Sequence, residues 1–278
     1  KGFDKISHIK PERERSKETL NFKQKLFHLS QRAIASKGYL EAVTWSFTDF
    51  RVDKYFSQGK KEIEITNPIS SDLNVLRRSI FSNLIIYLKK NQDRGYLDLS
   101  LFEIGPTFSG NKPGEQQVVL GGLKSGVENR RSWDSKTRNI DVFDVKADVM
   151  RTLVELGINE EDLHISNKTQ DYFNPGRSGS VNFKSPTGLQ LASFGEIHPG
   201  IVSNLDLKEA NVCGFEIFLK NIPEPQKKYR LAKRKYSVSE FQKSERDFAF
   251  VIDKNYIAGD VEKMISEVDR SIIKKVLI

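Results

Sequence analysis

Residues 65–105 constrain the fold most, because they place four local signals in one order. Asn67-Pro68 predicts a turn, since proline fixes its own φ and keeps the preceding residue out of the helical region. Apolar residues then recur at three- and four-residue spacing, which predicts an amphipathic helix. They are Leu73, Leu76, Ile80, Leu84 and Leu88. Gly95 ends this pattern, and residues 100–105 predict a buried strand that carries one carboxylate, Glu103.

The remaining apolar patterns predict further helices and strands around this block. A helical stripe between residues 19 and 37 contains Phe22, Leu26, Leu29 and Ala33, and Gly38 follows it as a C-terminal cap. Strands are predicted at residues 39–47, 118–123, 189–197 and 212–219, and another helix at residues 145–156. Together these elements predict a mixed α/β (α+β) domain.

Length and composition narrow the class of protein. With 278 residues and a net charge of +8, the chain has room for one large domain and part of another, and suits a polyanionic partner. The single cysteine, Cys213, excludes an internal disulfide and a cysteine-built zinc site, so we expect a cytoplasmic protein. No apolar run approaches the ~18 residues of a membrane span. The first residue, Lys1, and the apolar end at Ile278 predict a fragment of a longer protein.

Several segments resemble one family in their amino-acid sequence and in their order along the chain. They are YLEAVTWSFTD (39–49), NPISSDLNVLRRS (67–79), NQDRG (91–95), LFEIG (101–105), VFDVKADV (142–149), FNPGRSG (173–179), FGEIHPGIVSNLDL (194–207) and SEFQKSERDFAFVID (239–253). These segments resemble the β subunits of bacterial phenylalanine tRNA synthetases. The resemblance implies a class II aminoacyl-tRNA synthetase-like antiparallel sheet with flanking helices, followed by a truncated ferredoxin-like domain.

Composition and the resemblance together predict four regions. Residues 1–18 form a polar arm or linker, and residues 19–222 form a non-catalytic class II core. Residues 223–238 contain two prolines and the run KKYRLAKRK, which predicts a basic linker. Residues 239–278 resemble part of a ferredoxin-like anticodon-binding domain, with strands at 248–252 and 272–278 around a helix capped by Asp260.

Adenylate formation requires arginines, because the guanidinium fork binds phosphate oxygens in two places. The resemblance implies that active class II domains supply one from an Arg-x-Glu strand motif and another from a glycine-rich motif. Here Leu101 stands at the arginine position before Glu103, and residues 213–222 contain neither the glycine run nor the arginine. We therefore expect no catalytic, cofactor-binding or metal-binding residue in this chain, while ATP and magnesium would serve the holoenzyme.

Other polar residues have structural explanations that we prefer. The four histidines are scattered and lack metal-ligand spacing. Glu103 and Glu196 lie at predicted strand ends, where carboxylates more often hold a neighbouring loop than form an acid–base pair. Arg177 is expected to anchor a turn. The rival hypotheses are a self-sufficient class II ligase, in which Arg77 or Arg78 faces the pocket, and a regulatory RNA-binding module with a degenerate core.

The resemblance also implies partners. In that family an α subunit binds ATP and phenylalanine, and both subunits form an (αβ)₂ heterotetramer that charges tRNA(Phe), so this chain would hold the α subunit and help position tRNA. Candidate α-subunit contacts lie on the two long helices: Phe27, Ile34, Phe81 and Ile85. Ordinary core packing is the favoured alternative for them.

Candidate tRNA contacts are basic residues. They are Lys227, Lys228, Arg230, Arg234, Lys235 and Arg246. A solvated linker explains residues 227–235 equally well, because phosphate contacts leave no sharper sequence signature. A structural contact between Arg246 and Asp247 is the preferred alternative for Arg246.

Overall fold

A computed structural model describes residues 2–9, 19–128, 132–134, 136–208, 211–224, 238, 240–253 and 256–278. The chain forms two compact units, residues 1–224 and residues 225–278. Among the described residues, no helix combines the length and the apolar character that crossing a membrane requires.

A large sheet organises the first unit. The strands in the described residues are β1 (Leu40–Glu41), β2 (Phe47–Thr48), β3 (Val75–Leu76), β4 (Leu99–Phe108), β5 (Gln116–Ser125), β6 (Leu163–Ser166), β7 (Phe173–Phe183), β8 (Gln190–Ile197) and β9 (Val212–Phe218). Seven of them form one sheet in the order β1-β4-β5-β9-β8-β7-β6, while β2 and β3 form a small antiparallel pair. Among the strand pairs of the described residues, only β1–β4 is parallel. The predicted antiparallel sheet is therefore confirmed.

The described residues also contain six helices. They are α1 (Phe22–Ala35), α2 (Phe50–Asp53), α3 (Phe81–Asp93), α4 (Val142–Glu155), α5 (Pro199–Asn204) and α6 (Ala258–Val268), with single 3₁₀ turns at Phe3–Lys5, Glu160–Asp162 and Leu219–Asn221. A capping box between Asn21 and Gln24 starts α1, and one between Asp141 and Asp144 starts α4. Gly95, with φ of 91°, follows the end of α3 as predicted.

Two apolar clusters cover the two faces of the large sheet. One contains residues of α1 and α4 together with Phe102, Leu120 and Phe215. The other contains residues of α3 and α5 together with Leu101 and Val212. We call these the α1/α4 face and the α3 face. Because side chains alternate along a strand, neighbouring residues such as Leu101 and Phe102 serve opposite faces.

The predicted helix at residue 73 begins later than its apolar spacing indicated. Val75 and Leu76 form β3 opposite Phe47 and Thr48, and α3 starts only at Phe81. The predicted strand at residues 39–47 is likewise reduced to β1 and the start of β2. Pairing between segments about 28 residues apart in sequence determines both boundaries, and helical periodicity does not report such pairing.

Strand β7 was absent from the sequence prediction because FNPGRSG resembles a turn. In the structure this segment belongs to β7, and the pairing with β8 shifts between Phe173 and Ser178. A bulge of this kind tolerates proline and glycine inside a strand. Arg177 lies in this irregular stretch rather than in a turn, and its Nη1 donates to Glu196 Oε2 at 2.9 Å.

The second unit contains one helix, α6, in its described residues. Asp260 lies in the first turn of α6, whose N-cap position is Ile257, so the predicted cap is wrong by three residues. Residues 248–252 and 272–278 form no strand, which corrects both strand predictions. A strand requires a paired neighbour for its backbone hydrogen bonds, and the described residues of this unit offer none. The ferredoxin-like arrangement is therefore not confirmed.

Candidate functional site

A row of residues crosses the middle of the sheet on the α3 face. Glu103 on β4 lies opposite Gly121 on β5, which lies opposite Glu216 on β9. Each carboxylate residue is only 4% exposed. Buried carboxylates require partners, and the segment that leads into α3 supplies most of them.

Arg77 neutralises Glu103. Its Nη1 donates to Glu103 Oε1 at 2.8 Å and to the hydroxyl of Thr44 at 2.9 Å, and that hydroxyl donates to Glu103 Oε2 at 2.7 Å. Its Nε donates to the carbonyl of Pro106 at 2.9 Å. The side chains of Arg77 and Glu103 are 1% and 5% exposed. Arg77 is therefore bound inside the chain rather than presented to a ligand.

Glu216 accepts three hydrogen bonds around the start of α3. Its Oε1 accepts from the hydroxyl of Ser79 at 2.7 Å and from the backbone N–H of Ile80 at 3.0 Å, and its Oε2 accepts from the hydroxyl of Tyr172 at 2.9 Å. Burial raises the pKa of Glu216 above its ordinary value, although the three donors oppose this shift. Glu216 thus satisfies an otherwise orphaned N–H at the start of α3.

A third buried carboxylate, Asp53 at the end of α2, holds the same segment from the other side. Its Oδ1 accepts from the backbone N–H of Arg78 at 3.0 Å and from the hydroxyl of Ser82 at 2.7 Å. Burial raises the pKa of Asp53 as well. Glu103, Asp53 and Glu216 therefore each fix part of one segment, residues 77–82, over the sheet.

This segment lies directly on the glycines of the sheet. A Cβ on Gly121 would lie 2.7 Å from Ile80, and one on Gly214 would lie 2.9 Å from the ring of Phe81. Three more aromatic rings surround that of Phe81, at centroid distances of 5.6–5.9 Å: Phe56, Tyr172 and Phe173. Side chains of the chain itself therefore fill the α3 face.

A cavity of about 110 Å³ remains between residues 56–60, the segment that leads into α3 and strands β4, β5 and β9. Its lining includes Arg78, Lys60, Tyr172 and Glu216. Cofactor and small-molecule pockets usually measure roughly 300–1,000 Å³, so this space is too small for ATP or an aminoacyl adenylate. Among the described residues, no group of three or more His, Cys, Asp or Glu side chains could hold a metal ion.

The sequence pattern of the phenylalanyl tRNA synthetase beta chain CLM domain matches residues 6–219. The chain belongs to this family. A phenylalanine–tRNA ligase beta subunit from Rhodospirillum rubrum is 39% identical over 279 residues, which cover 100% of this chain and 34% of that protein. The corresponding subunit from Paramagnetospirillum magneticum is 38% identical over 249 residues, which cover 89% of this chain and 31% of that protein. The chain thus spans about a third of the length of these curated relatives.

A solved structure, that of a pyrrolysyl tRNA synthetase from Desulfitobacterium hafniense, is similar to this chain. The TM-score is 0.52 at 14% identity, over 71% of this chain and 66% of that one. At this identity the likeness shows a shared fold. The predicted class II synthetase-like architecture is confirmed at that level.

The two positions expected to lack phosphate-binding arginines can now be located. Leu101 lies on β4, two residues before Glu103, so both belong to the α3 face, and Leu101 packs into the apolar cluster there. Residues 213–222 comprise most of β9 and then the single turn Leu219–Asn221. Neither β4 nor β9 contains an arginine.

Three of the four predicted α-subunit contacts lie in the apolar core of this chain. Ile34 and Phe81 are 0% exposed and Ile85 is 1% exposed, and all three belong to the apolar clusters of this chain. Helical spacing identified apolar positions correctly but could not distinguish a core position from a surface one. Phe27, the fourth of these residues, is partly exposed on α1.

The predicted tRNA contacts lie mostly beyond what the structure describes. Lys227, Lys228, Arg230, Arg234 and Lys235 are outside the described residues. Arg246 is exposed, and its Nη1 donates to the backbone carbonyl of Glu245 at 2.9 Å rather than to Asp247.

Glu103 and Glu196 lie on opposite faces of the sheet. Glu103 shares the α3 face with Glu216, whereas Glu196 lies opposite Cys213, whose side chain belongs to the α1/α4 cluster. They therefore form no acid–base pair. The Nδ1 of His198 accepts from the backbone N–H of Gly200 at 3.1 Å, as a structural histidine would.

Sequence reasoning missed the roles of Glu216 and Tyr172. A signal existed for Glu216, because it is the only charged residue in the apolar strand VCGFEIF. Carboxylates inside such strands require buried donors. Tyr172 carries no comparable local signal, since its partner lies 44 residues away in sequence.

Proposed function

We propose that this chain is a non-catalytic part of a phenylalanine–tRNA ligase beta subunit, which holds the catalytic α subunit in its oligomer and helps to position tRNA(Phe). One observation carries the proposal: the α3 face of its class II-like sheet is filled by Ile80, Phe81 and Tyr172. A sheet that is covered in this way retains an architectural role and has no room for adenylate chemistry. The same proposal assigns the protein to the cytoplasm.

The proposed partners are an α subunit and tRNA(Phe). The relatives are named as beta subunits, which supports an α-subunit partner, and we propose an (αβ)₂ heterotetramer that uses ATP and magnesium through the α subunit. We further propose that residues 227–235 and Arg246 contact tRNA phosphates, because nine consecutive residues hold six basic and no acidic side chains. The ligase and regulatory RNA-binding alternatives are not favoured by the beta-subunit relatives.

The test uses the full-length protein with and without its α subunit. We expect neither ATP–pyrophosphate exchange nor tRNA aminoacylation from the full-length protein alone, and aminoacylation after reconstitution. Exchange by the protein alone that is lost on Arg78→Met and kept in Arg51→Met would contradict the proposal, since Arg78 lines the cavity on the α3 face and Arg51 does not.

The tRNA contact has a separate test. Reversing three charges together, Lys227→Glu, Arg230→Glu and Arg234→Glu, should weaken tRNA binding and reduce the slope of log affinity against log salt by about 2–3. Unchanged affinity and slope would remove this segment from the tRNA-binding surface while leaving the α-subunit role intact.

A further inference from the structure

Helix α4 has apolar side chains on two opposite sides. Its buried side belongs to the apolar cluster of the α1/α4 face and includes Val145, Val149 and Leu153, each 0% exposed. A second set recurs at intervals of four, three and four residues, which places it along one line of the helix. It consists of Phe143, Ala147, Met150 and Val154. We call this second set the outer stripe of α4.

The part of the chain that the structure describes leaves the outer stripe largely open. Phe143 is 68% exposed and Val154 is 43% exposed. Ala147 and Met150 are half-buried, and Met150 also packs against the apolar cluster of the α1/α4 face. A surface helix usually has polar residues on its outer side, whereas a helix that is apolar on all sides is usually buried. The outer stripe therefore indicates a docking surface.

Two cations flank the outer stripe. By helical spacing, Lys146 and Arg151 lie on either side of it. Neither forms a salt bridge with any residue that the structure describes. The acidic side chains of α4 all bind basic side chains elsewhere in the chain: Asp144, Asp148 and Glu155. Acidic groups beside the apolar residues of a partner would therefore complement this surface.

A second copy of the chain does not fit this arrangement. The outer stripe is centred between residues 148 and 149. Two stripes packed antiparallel would therefore bring Lys146 of one copy over Arg151 of the other, and like charges oppose such a contact. The stripe is also small. A standard interface buries roughly 800 Å² on each partner, and four side chains, two of them half-buried, expose well below that area.

A segment of the same protein needs less contact area than a separate molecule does. Tethering makes its binding intramolecular, at an effective concentration on the order of mM for a short flexible linker. The curated relatives have about two thirds of their length outside the stretch that matches this chain. The proposed place of this chain within such a beta subunit makes a tethered segment available.

We propose that the outer stripe of α4 docks an amphipathic helix from a part of the full-length beta subunit outside residues 1–278. That helix presents apolar residues at three- and four-residue spacing to the stripe, and acidic residues to Lys146 and Arg151. The inference rests on the proposed function only in requiring that this chain is part of a beta subunit. It does not depend on the proposed α-subunit or tRNA contacts.

Site-specific photocrosslinking in the full-length protein tests the docking. The photoreactive residue p-benzoylphenylalanine replaces Phe143 or Val154, and the protein is irradiated alone and after reconstitution with its α subunit. We expect both positions to crosslink to one segment outside residues 1–278 of the same polypeptide, identified by mass spectrometry, with no increase in molecular mass. Lys184 is the control position, because it is exposed between β7 and β8. Its crosslinks should not reach that segment.

Charge reversal tests the two flanking cations. The double variant Lys146→Glu with Arg151→Glu should lower the urea concentration at which half of the crosslink from position 143 is lost, because it places like charges against the acidic residues of the docked helix. Lys184→Glu should leave that concentration unchanged. Replacing those acidic residues by lysine should restore it in the double variant.

Several outcomes would overturn the proposal. They are crosslinks from positions 143 and 154 to the α subunit or to a second beta subunit, crosslinks to no single segment, and equal urea sensitivity in the double variant and Lys184→Glu. Aminoacylation is measured on the same reconstituted samples. An enzyme that aminoacylates tRNA without this crosslink refutes only the docking, whereas failure of the α subunit to gain activity refutes the proposed function.

Discussion

The buried pair of Arg77 and Glu103 provides the sharpest test of how this fold is held together. Arg77→Met removes the guanidinium and leaves the Glu103 carboxylate, 5% exposed, with only the hydroxyl of Thr44 as a partner. Removing one partner of a buried ion pair costs about 3–5 kcal/mol, because the remaining charge is uncompensated. Glu103→Leu should cost a similar amount, since it leaves the buried positive charge of Arg77 without its carboxylate partner.

The double variant Arg77→Met with Glu103→Leu should be much more stable than the sum of the two losses predicts. Both charges are then gone, and apolar replacements of buried pairs are often close to neutral. Only the hydroxyl of Thr44 and the carbonyl of Pro106 lose partners. We therefore expect the double variant to be no less stable than the less stable of the two single variants. The coupling energy between the two substitutions should be at least about 3 kcal/mol.

Urea and thermal unfolding of the chain measure these differences. In a unit of this size, each kcal/mol of lost stability lowers Tm by about 2–4 °C. The Tm of each single variant should therefore fall by roughly 6–20 °C. Arg51→Met is the control, because Arg51 also binds a carboxylate, Asp49 at 2.6 Å, but its side chain is 75% exposed. It should cost far less than either Arg77→Met or Glu103→Leu, because water and salt screen an exposed ion pair.

Two results would refute this reasoning. Strictly additive losses in the double variant would mean that Arg77 and Glu103 are not energetically coupled. An Arg77→Met protein of normal stability whose reconstituted enzyme has lost aminoacylation would mean that Arg77 acts on a ligand, as the ligase hypothesis requires.

Further predictions concern the residues around α3. Burial raises the pKa of Glu216, so its contribution to stability is largest below its unfolded-state pKa and falls as pH rises through the folded-state value. Glu216→Gln should therefore gain stability relative to the wild type as pH rises from about 4.5, by up to about 1.4 kcal/mol per pH unit; urea midpoints across pH measure this, and a constant difference contradicts it. Tyr172→Phe removes a donor to Glu216 and should cost about 1–3 kcal/mol in the same unfolding assay, whereas an unchanged urea midpoint would show that this hydrogen bond adds nothing. Gly214→Ala places a Cβ 2.6 Å from the nearest side-chain atom and should cost about 1–3 kcal/mol. By contrast, Gly259→Ala in α6 meets no atom within 4 Å and should be neutral or stabilising by up to ~1 kcal/mol; equal effects of the two glycine variants would contradict close packing on the sheet.

Much of the sheet could be predicted from short-range patterns. The strands at residues 100–105, 118–123, 189–197 and 212–219, and the helices at 19–37 and 145–156, all correspond to observed elements. Alternation of apolar and polar side chains, and helical spacing, depend on neighbours within a few residues. The family resemblance, and not these patterns, identified Leu101 as standing where an arginine of the Arg-x-Glu motif was expected.

The start of α3 and the contents of the α3 face could not be predicted in this way. Residues 73–76 have helical spacing, yet their hydrogen bonds to residues 47–50 make them a strand and a turn. The apolar positions Phe81 and Ile85 were recognised, but their burial in this chain's own core depends on what lies above the sheet.

The sequence by itself determined the order of elements, the family and the absence of arginine from the two phosphate-binding motifs. Each of these depends on residues that lie close together along the chain. The tertiary structure alone decided that Arg77 binds Glu103, 26 residues away, and that Ser79 binds Glu216, 137 residues away. Those contacts arise only when the sheet brings distant segments to one face, where burial makes each unpaired charge expensive. The same contacts hold residues 77–82 over the α3 face.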